Sequence, residues 1–236
     1  MDLRILLVVL ASSPVKGFIV ATAVCGNEYI PAGQKLLRSI GNADALVIYE
    51  TESVRLALWA PNVHFYKTVS AGGRFRCSEA KLSLYRVVDD VLWIDLDTVI
   101  VGDITSLSVN LNGAWAAACP ESIDSYKANW YKSRHSSIGN EYVKPNGINT
   151  GVMYFNTTAW RAARRAARDL VLKKDYSLPD QDTFNVYFSK HPDELALLPM
   201  QFNYRGRAVS GSDVVPVIHH RPGTKCAKRN SCLAWA

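Results

Sequence analysis

Apolar runs alternate with segments of helical spacing through the first hundred residues. Residues 18–24, Phe-Ile-Val-Ala-Thr-Ala-Val, are continuously apolar and rich in β-branched side chains. That is the pattern of a strand buried on both faces. Gly26-Asn27 follows as a loop. Residues 30–40 place Leu36, Leu37 and Ile40 at helical spacing. The same order then repeats: a strand over 45–49, a helix over 53–59 stopped by Pro61, a short strand over 63–66, a helix over 78–88 with Leu82, Tyr85 and Val88 on its core side, and a strand over 91–94. Strands alternating with helices predict a largely parallel sheet covered on both faces.

The second half is less regular. Strands are expected over 115–119, 148–155 and 214–218, and helices over 160–174 and 182–188. Residues 122–140 are polar and aromatic and read as a long surface loop. Arg161, Arg164, Arg165 and Arg168 fall on one face of the helix expected there, which reads as a solvated face.

The strand at 91–94 ends in Asp95-Leu96-Asp97-Thr98. Strand alternation sends the two carboxylates to the same side, where they repel each other. A bound divalent cation is the usual remedy, and hard oxygen ligands select Mg²⁺ or Mn²⁺. In open α/β sheets, ligands sit beyond the carboxyl ends of the strands. Asp95 and Asp97 are placed there, and Gly26-Asn27 opens onto the same crevice. Asp103 is expected to cap a short following helix.

Composition adds bounds. The 236 residues suffice for one large domain with a full core, and 48% hydrophobic with 20% charged residues is ordinary for a globular chain. The net charge of +6 favours phosphorylated or polyanionic partners. No zinc-finger or RNA-recognition spacing accompanies it, so a nucleic-acid partner is not expected. Of five cysteines, Cys25 and Cys77 read as reduced core residues, while Cys226 and Cys232 are candidates for a bridge in an oxidising compartment. Residues 1–17 have the order of a secretory leader: charge, a short apolar run, then small residues. The expected organisation is a leader over 1–17, one domain over 18–225 and a tail over 226–236. Asn156-Thr157-Thr158 is a glycosylation sequon beside an apolar strand.

Four ordered blocks together resemble glycosyltransferase family 8, the retaining enzymes that include glycogenin and bacterial lipopolysaccharide galactosyltransferases. They are Ala21 to Tyr29; Lys81-Leu82 leading into Asp95-Leu96-Asp97-Thr98; Gly147-Ile148-Asn149-Thr150-Gly151-Val152; and Pro179-Asp180-Gln181-Asp182 with Asn185. Val217-Ile218-His219 and Thr224-Lys225 follow at the family's later positions. The resemblance covers about residues 18–225. It implies an α/β nucleotide-sugar transferase fold of the GT-A type, with a mixed, mostly parallel central sheet flanked by helices, and a UDP-sugar as donor. The acceptor class it implies is a glycan, a glycolipid or a protein. With the leader-like start of the sequence, the expected location is the secretory pathway or Golgi lumen, with the cytoplasm as alternative, and a homodimer is one expected assembly.

The resemblance also assigns roles. Asp95, Asp97 and a histidine would hold Mn²⁺, or alternatively Mg²⁺, against the diphosphate. Spacing to Thr224-Lys225 favours His219 over His220, which strand alternation points to the opposite side. The family's glycine after the histidine is Pro222 here, and its Lys-Pro-Trp ending is Lys225-Cys226-Ala227. Ala23, Asn27, Tyr29, Lys81, Ile94, Leu96 and Lys225 would line the nucleotide, with Tyr29 stacking on the base. Asn149, Thr150 and Gly151 would meet the sugar, the glycine allowing close backbone approach. Asp180 and Gln181 would lie on the reactive side. Gln181 is a poor nucleophile, so same-face attack is favoured, with Asp180 orienting sugar or acceptor. For a protein acceptor, Tyr126, Tyr131 and Tyr142 lie in the variable loop. Two other readings compete. One is a catalytically silent nucleotide-sugar or glycan-binding protein on the same scaffold. The other is an aspartate-nucleophile phosphatase, whose motif normally sits on the first strand of its domain rather than after three others.

Overall fold

A computed structural model describes residues 17–221 apart from 69–76, 78–79, 88–89, 122–146, 164–165, 167–168, 173–175, 177, 207–209 and 212. The strands are β1 Ile19–Val24, β2 Ala45–Tyr49, β3 Val63–Lys67, β4 Val91–Ile94, β5 Thr98–Ile100, β6 Ala116–Pro120, β7 Ile148–Phe155, β8 Leu195–Leu197 and β9 Ile218–His220. The helices are α1 Ile30–Ile40, α2 Glu52–Ala57, α3 Thr157–Ala162 and α4 Pro179–Lys190. Seven strands form one sheet in the order β3-β2-β1-β4-β7-β6-β8, while β5 and β9 form a separate antiparallel pair. The β3-β2, β2-β1, β1-β4 and β6-β8 pairings are parallel; those of β7 with β4 and with β6 are antiparallel. The mixed, mostly parallel α/β sheet expected from the sequence is therefore the one observed.

Strand alternation builds two cores, one on each face. Ile19, Ala21, Ala23, Val91, Trp93, Met153 and Phe155 face one side. Val20, Val24, Leu92, Ile94 and Val152 face the other, over which α1 lays Leu36 and Ile40. The first core is aromatic: Trp115 stacks on Trp160 at 4.7 Å, and Phe155 on Trp160 at 5.1 Å. Asn156 precedes α3 and accepts a hydrogen bond from the Ala159 N–H at 2.7 Å, so the sequon asparagine serves as its helix cap. Asp103 likewise accepts from the Thr105 N–H at the start of the short turn Ile104–Ser106.

Four expectations differ. The strand expected over 214–218 is β9, Ile218–His220, which shares only Ile218 with it. The segment expected as a helix over 78–88 is a tight 3₁₀ turn, Lys81–Arg86. The helix expected from 160 begins at Thr157 and ends at Ala162; Arg161 is exposed, as expected of that face, and its guanidinium also donates to the carbonyls of Tyr85 and Val87. Arg164, Arg165 and Arg168 lie outside the described residues. Cys25 and Cys77 are not reduced core residues: they form a disulfide, with Cα atoms 5.8 Å apart across 52 residues of sequence. The strand arrangement brings the end of β1 beside the approach to the 3₁₀ turn, a proximity no local spacing reveals. Cys119 is the free cysteine among the described residues, and burial pushes its thiol up to about 12. Cys226, Cys232, the leader over 1–16, the loop over 122–140 with Tyr126 and Tyr131, and Tyr142 lie outside the described residues. No helix among the described residues is long and apolar enough to cross a membrane.

Candidate active site

The site lies where β4 and β7 meet. Asp95 follows β4 directly, and its N–H donates to the Gly151 carbonyl at 2.8 Å, continuing the antiparallel ladder one step past Ile94. Its carboxylate accepts from the Trp93 indole N–H at 2.6 Å, two residues back on the same face. The Thr98 hydroxyl donates to the Asp95 carbonyl at 2.7 Å, closing a turn that brings Asp97 round. Arg221 N–H donates to the Asp97 carbonyl at 3.0 Å, which ties the end of β9 to this turn.

That tie selects the histidine. In the β5–β9 pair, Thr98 lies opposite His220 and Val99 opposite His219. Ile218 is fully buried, so the residue two along, His220, also faces inward and is 3% exposed. His220 Nε2 lies 3.3 Å from Asp97 Oδ1. Asp95, Asp97 and His220 each place one ligand atom within 4.8 Å of the others. The expected ligand His219 is not brought into this group. Its ring packs edge-on against Tyr204 at 5.0 Å, on the opposite side of the strand. Burial and the neighbouring Arg221 lower its pKa. Alternation puts the two histidines on opposite sides, as expected, and it is His220 that lies beside Asp97.

Gly151 lies against His220. A Cβ there would come within 2.0 Å of His220 Cε1. The close approach that the glycine allows is therefore made by the imidazole, which lies flat against β7.

Lys81 sits at the other side of Asp95. The 3₁₀ turn carries its side chain inward until it is 2% exposed. Its ammonium lies 2.5 Å from Asp180, 3.2 Å from Asp95 and 3.2 Å from the Thr150 hydroxyl. Burial alone would lower the lysine pKa, yet Asp180 and then Asp95 outweigh it, and the net direction is upward. The Asp95 carboxyl is pushed up, first by burial, against the pull of Lys81, with Asp97 and Asp180 adding repulsion. Leu178, not Asp180, precedes the first turn of α4, and Asp182 accepts from its N–H at 3.1 Å. Asp180 is thereby released from capping and turned to the site.

A buried amide network backs the site. Gln181 Oε1 accepts from Asn149 Nδ2 at 3.1 Å and from the Thr150 N–H at 3.3 Å. Glu121 accepts from both Asn149 Nδ2 at 3.0 Å and Gln181 Nε2 at 3.3 Å. Arg205 pairs with Glu121 at 2.9 Å. Asn185 locks α4 to β7 by accepting from the Ile148 N–H and donating to its carbonyl, at 2.6 and 2.9 Å. Glu121, Asn203 and Arg205 escaped the sequence reading. Glu121 had a usable signal, because it follows a strand at the carboxyl end of the sheet. Asn203, flanked by Phe202 and Tyr204, is a polar residue inside an apolar triplet. Nothing local marks Arg205.

The remaining expected residues divide. Asn27 is exposed at the end of β1 and accepts from Thr51 and Ser53 hydroxyls at 3.1 and 2.6 Å. Tyr29 is nearby and 37% exposed. Ala23 and Ile94 are buried core residues, and Leu96 packs against the second core. Lys225, Pro222 and Thr224 lie outside the described residues.

The donor set of two carboxylates and one imidazole fits a divalent ion of borderline character. With Nδ1 protonated, a lone pair at Nε2 would face the Asp97 carboxylate, so that acceptors converge on one point and a cation would satisfy them together.

Comparison with known proteins places the family and the fold. The chain is 32% identical over 152 residues to mouse glucoside xylosyltransferase 1, covering 55% of this chain and 36% of that protein. It is 29% identical over 121 residues to lipopolysaccharide 1,2-glucosyltransferase of Escherichia coli K12, covering 49% and 33%. The chain thus spans about a third of the length of the curated relatives it matches. The crystal structure of mouse xyloside xylosyltransferase 1 in its apo form superposes with a TM-score of 0.61 at 14% identity, over 87% of this chain and 98% of that one. At that identity the likeness speaks to fold alone, and the fold is the GT-A type α/β fold. The sequence model described as "Glycosyl transferase family 8" matches residues 78–223, from the approach to Lys81 to just past His220. With the aspartate pair, the inward histidine and the Asp180-Gln181 helix start all inside that span, the chain belongs to glycosyltransferase family 8.

Proposed function

We propose that this chain is a metal-dependent, retaining glycosyltransferase that moves a hexose or pentose from a UDP-sugar to a glycan, glycolipid or protein acceptor. Asp95, Asp97 and His220 hold the ion, with Mn²⁺ favoured over Mg²⁺ because one ligand is an imidazole. The observation that carries the reading is the convergence of those three ligand atoms within 4.8 Å at the end of β4. When bound, the ion supplies positive charge to the diphosphate leaving group. Family membership supports the transfer reaction. The names of its relatives include both xylosyl- and glucosyltransferases.

The chain's own residues do the rest. Lys81 neutralises Asp180 and Asp95, so the site does not present a bare cluster of negative charge to a diphosphate. Because Asp180 is bound to Lys81, its carboxylate is a weakened nucleophile. Gln181 has no nucleophilic oxygen anion, and its amide is engaged at both ends. Both facts favour same-face attack, with Asp180 orienting a hydroxyl of sugar or acceptor. Asn149 supports this side from behind, since its amide is spent on Gln181 and Glu121. Asn27 and Tyr29 meet uracil and ribose, and Lys225 adds charge at the phosphates. The Cys25–Cys77 disulfide supports a secretory-pathway location, where such bonds persist.

The test is UDP-sugar hydrolysis across UDP-xylose, UDP-glucose and UDP-galactose, with and without Mn²⁺. Turnover of at least one donor is expected, lost on chelation and in Asp97→Ala. Undiminished turnover in Asp97→Ala removes the metal reading, and binding without turnover across a broad acceptor panel removes the enzyme reading.

A further inference from the structure

The amide network reaches the histidine, and its hydrogen-bond directions can be deduced from fixed points. A backbone N–H is always a donor. The Gly151 N–H lies 3.0 Å from one side-chain atom of Asn149, so that atom is Oδ1. Asn203 approaches the same oxygen at 2.9 Å, so the approaching atom must be its amide nitrogen. The other end of the Asn203 amide is then an oxygen, and it lies 2.8 Å from His220 Nδ1. An amide oxygen only accepts, so Nδ1 carries the proton. The opposite assignment would set two oxygens of Asn149 and Asn203 against each other at 2.9 Å. The far side of Asn149 agrees. Its Nδ2 donates to Glu121 and to a Gln181 oxygen whose identity the Thr150 N–H fixes independently.

We propose that Asn203 is a positioning residue that holds His220 in its Nδ1–H tautomer, through a relay anchored on the Gly151 amide, so that the Nε2 lone pair is presented beside Asp97. Nothing else among the described residues bonds to that ring except Asp97. Asn203 is fully buried and sits on the tight turn Met200–Asn203, which β9 joins through the Tyr204 and His220 backbone. Ring orientation is fixed from three sides: Asn203 at Nδ1, the bare Gly151 backbone beneath, and the β5 ladder at the main chain. A ligating imidazole whose second nitrogen donates to an oxygen is more basic and better oriented at the ligating one. The relay also joins the histidine to Gln181, so the metal side and the sugar side share one hydrogen-bonded frame. This role rests on the metal reading above.

The experiment uses histidine labelled with ¹⁵N in the metal-free protein, at a pH where the ring is neutral, with long-range ¹H–¹⁵N correlations assigned by His220→Gln. Wild type is expected to show Nδ1 protonated and Nε2 bare. Asn203→Leu is expected to shift the population to the Nε2–H form and weaken Mn²⁺ binding by calorimetry about 10- to 100-fold. If the leucine variant does not fold, the wild-type tautomer decides the matter by itself, because the relay permits only the Nδ1–H form of the neutral ring. An Nε2–H tautomer in wild type overturns the proposal. So does a leucine variant with unchanged tautomer and unchanged affinity. A wild-type protein with the expected tautomer that binds no Mn²⁺ overturns the metal reading while the tautomer assignment stands.

Discussion

Two polar clusters flank the end of β7, and they are built on opposite principles. On one side Lys81 reaches in from a short 3₁₀ turn and sits between Asp180 and Asp95. On the other, Asn149, Asn203, Gln181 and Glu121 pass hydrogen bonds between rigid elements to His220. The first cluster sets charge, and its long side chain hangs on a segment fastened by the Cys25–Cys77 disulfide. The second sets direction: Asn149 and Gln181 are each fixed by a backbone N–H of β7, and Asn203 is fixed through Asn149. A buried ion cluster tolerates small shifts in distance but not loss of its cation. An amide relay tolerates loss of charge but not a reversed dipole.

The largest effect that would sharpen this contrast lies at the disulfide. The double substitution Cys25→Ser with Cys77→Ser removes closure of a loop of 52 residues and should cost up to about 4 kcal/mol. Denaturant titration with and without reductant reads it: wild type should fall under reductant, and the variant should not respond. An equal response in both would place the disulfide outside the folding transition. Next comes Lys81→Met. Its ammonium is buried, but Asp95 and Asp180 keep 33% and 18% of their side-chain exposure, so the cost is reduced to about 2–3 kcal/mol. The lysine pKa is raised in the folded protein. Its contribution is therefore intact below the ordinary lysine value of about 10.4 and is lost only as pH rises through the higher folded value. The deficit of Lys81→Met in thermal melts should be constant from neutral pH to about pH 10 and shrink above it.

Gly151→Ala probes the other cluster. The new methyl meets the His220 ring, so Mn²⁺ affinity should fall about 10-fold or more while stability drops by about 1–3 kcal/mol. Calorimetry and melts separate the two, and an unchanged affinity would show that the ring need not lie on β7. The smallest effect is expected at Cys119, whose Sγ lies against the carbonyls of Leu198 and Pro199. Its buried thiol, pushed up to about 12, should not react with an aromatic disulfide reagent at about pH 8 until the protein unfolds.

Much of this was legible in the residues. The apolar runs located β1 to β4, and the two-residue period of Asp95 and Asp97 put both carboxylates at one strand end. The ordered blocks brought Lys81, Asn149 and Asp180-Gln181 into the same site. Helical spacing misjudged the segment at 78–88, because a 3₁₀ turn and an α-helix both return a side chain to the same face after three residues. His219 was expected from its spacing to Thr224-Lys225, and strand phase does not choose between the two histidines. In Val217-Ile218-His219-His220 two apolar residues precede two histidines, so the pattern is the same whichever pair points inward.

The sequence alone determined periodicity and chemistry: which segments are strands, which carry carboxylates, and in what order they arrive, because these depend on near neighbours along the chain. Only the tertiary structure decided partnership. The pairing of Thr98 with His220, the meeting of Cys25 with Cys77 and the reach of Asn203 to Asn149 join residues separated by 52 to 122 positions. Register, loop closure and the direction of an amide dipole are set by what lies across the fold, and no local spacing encodes them.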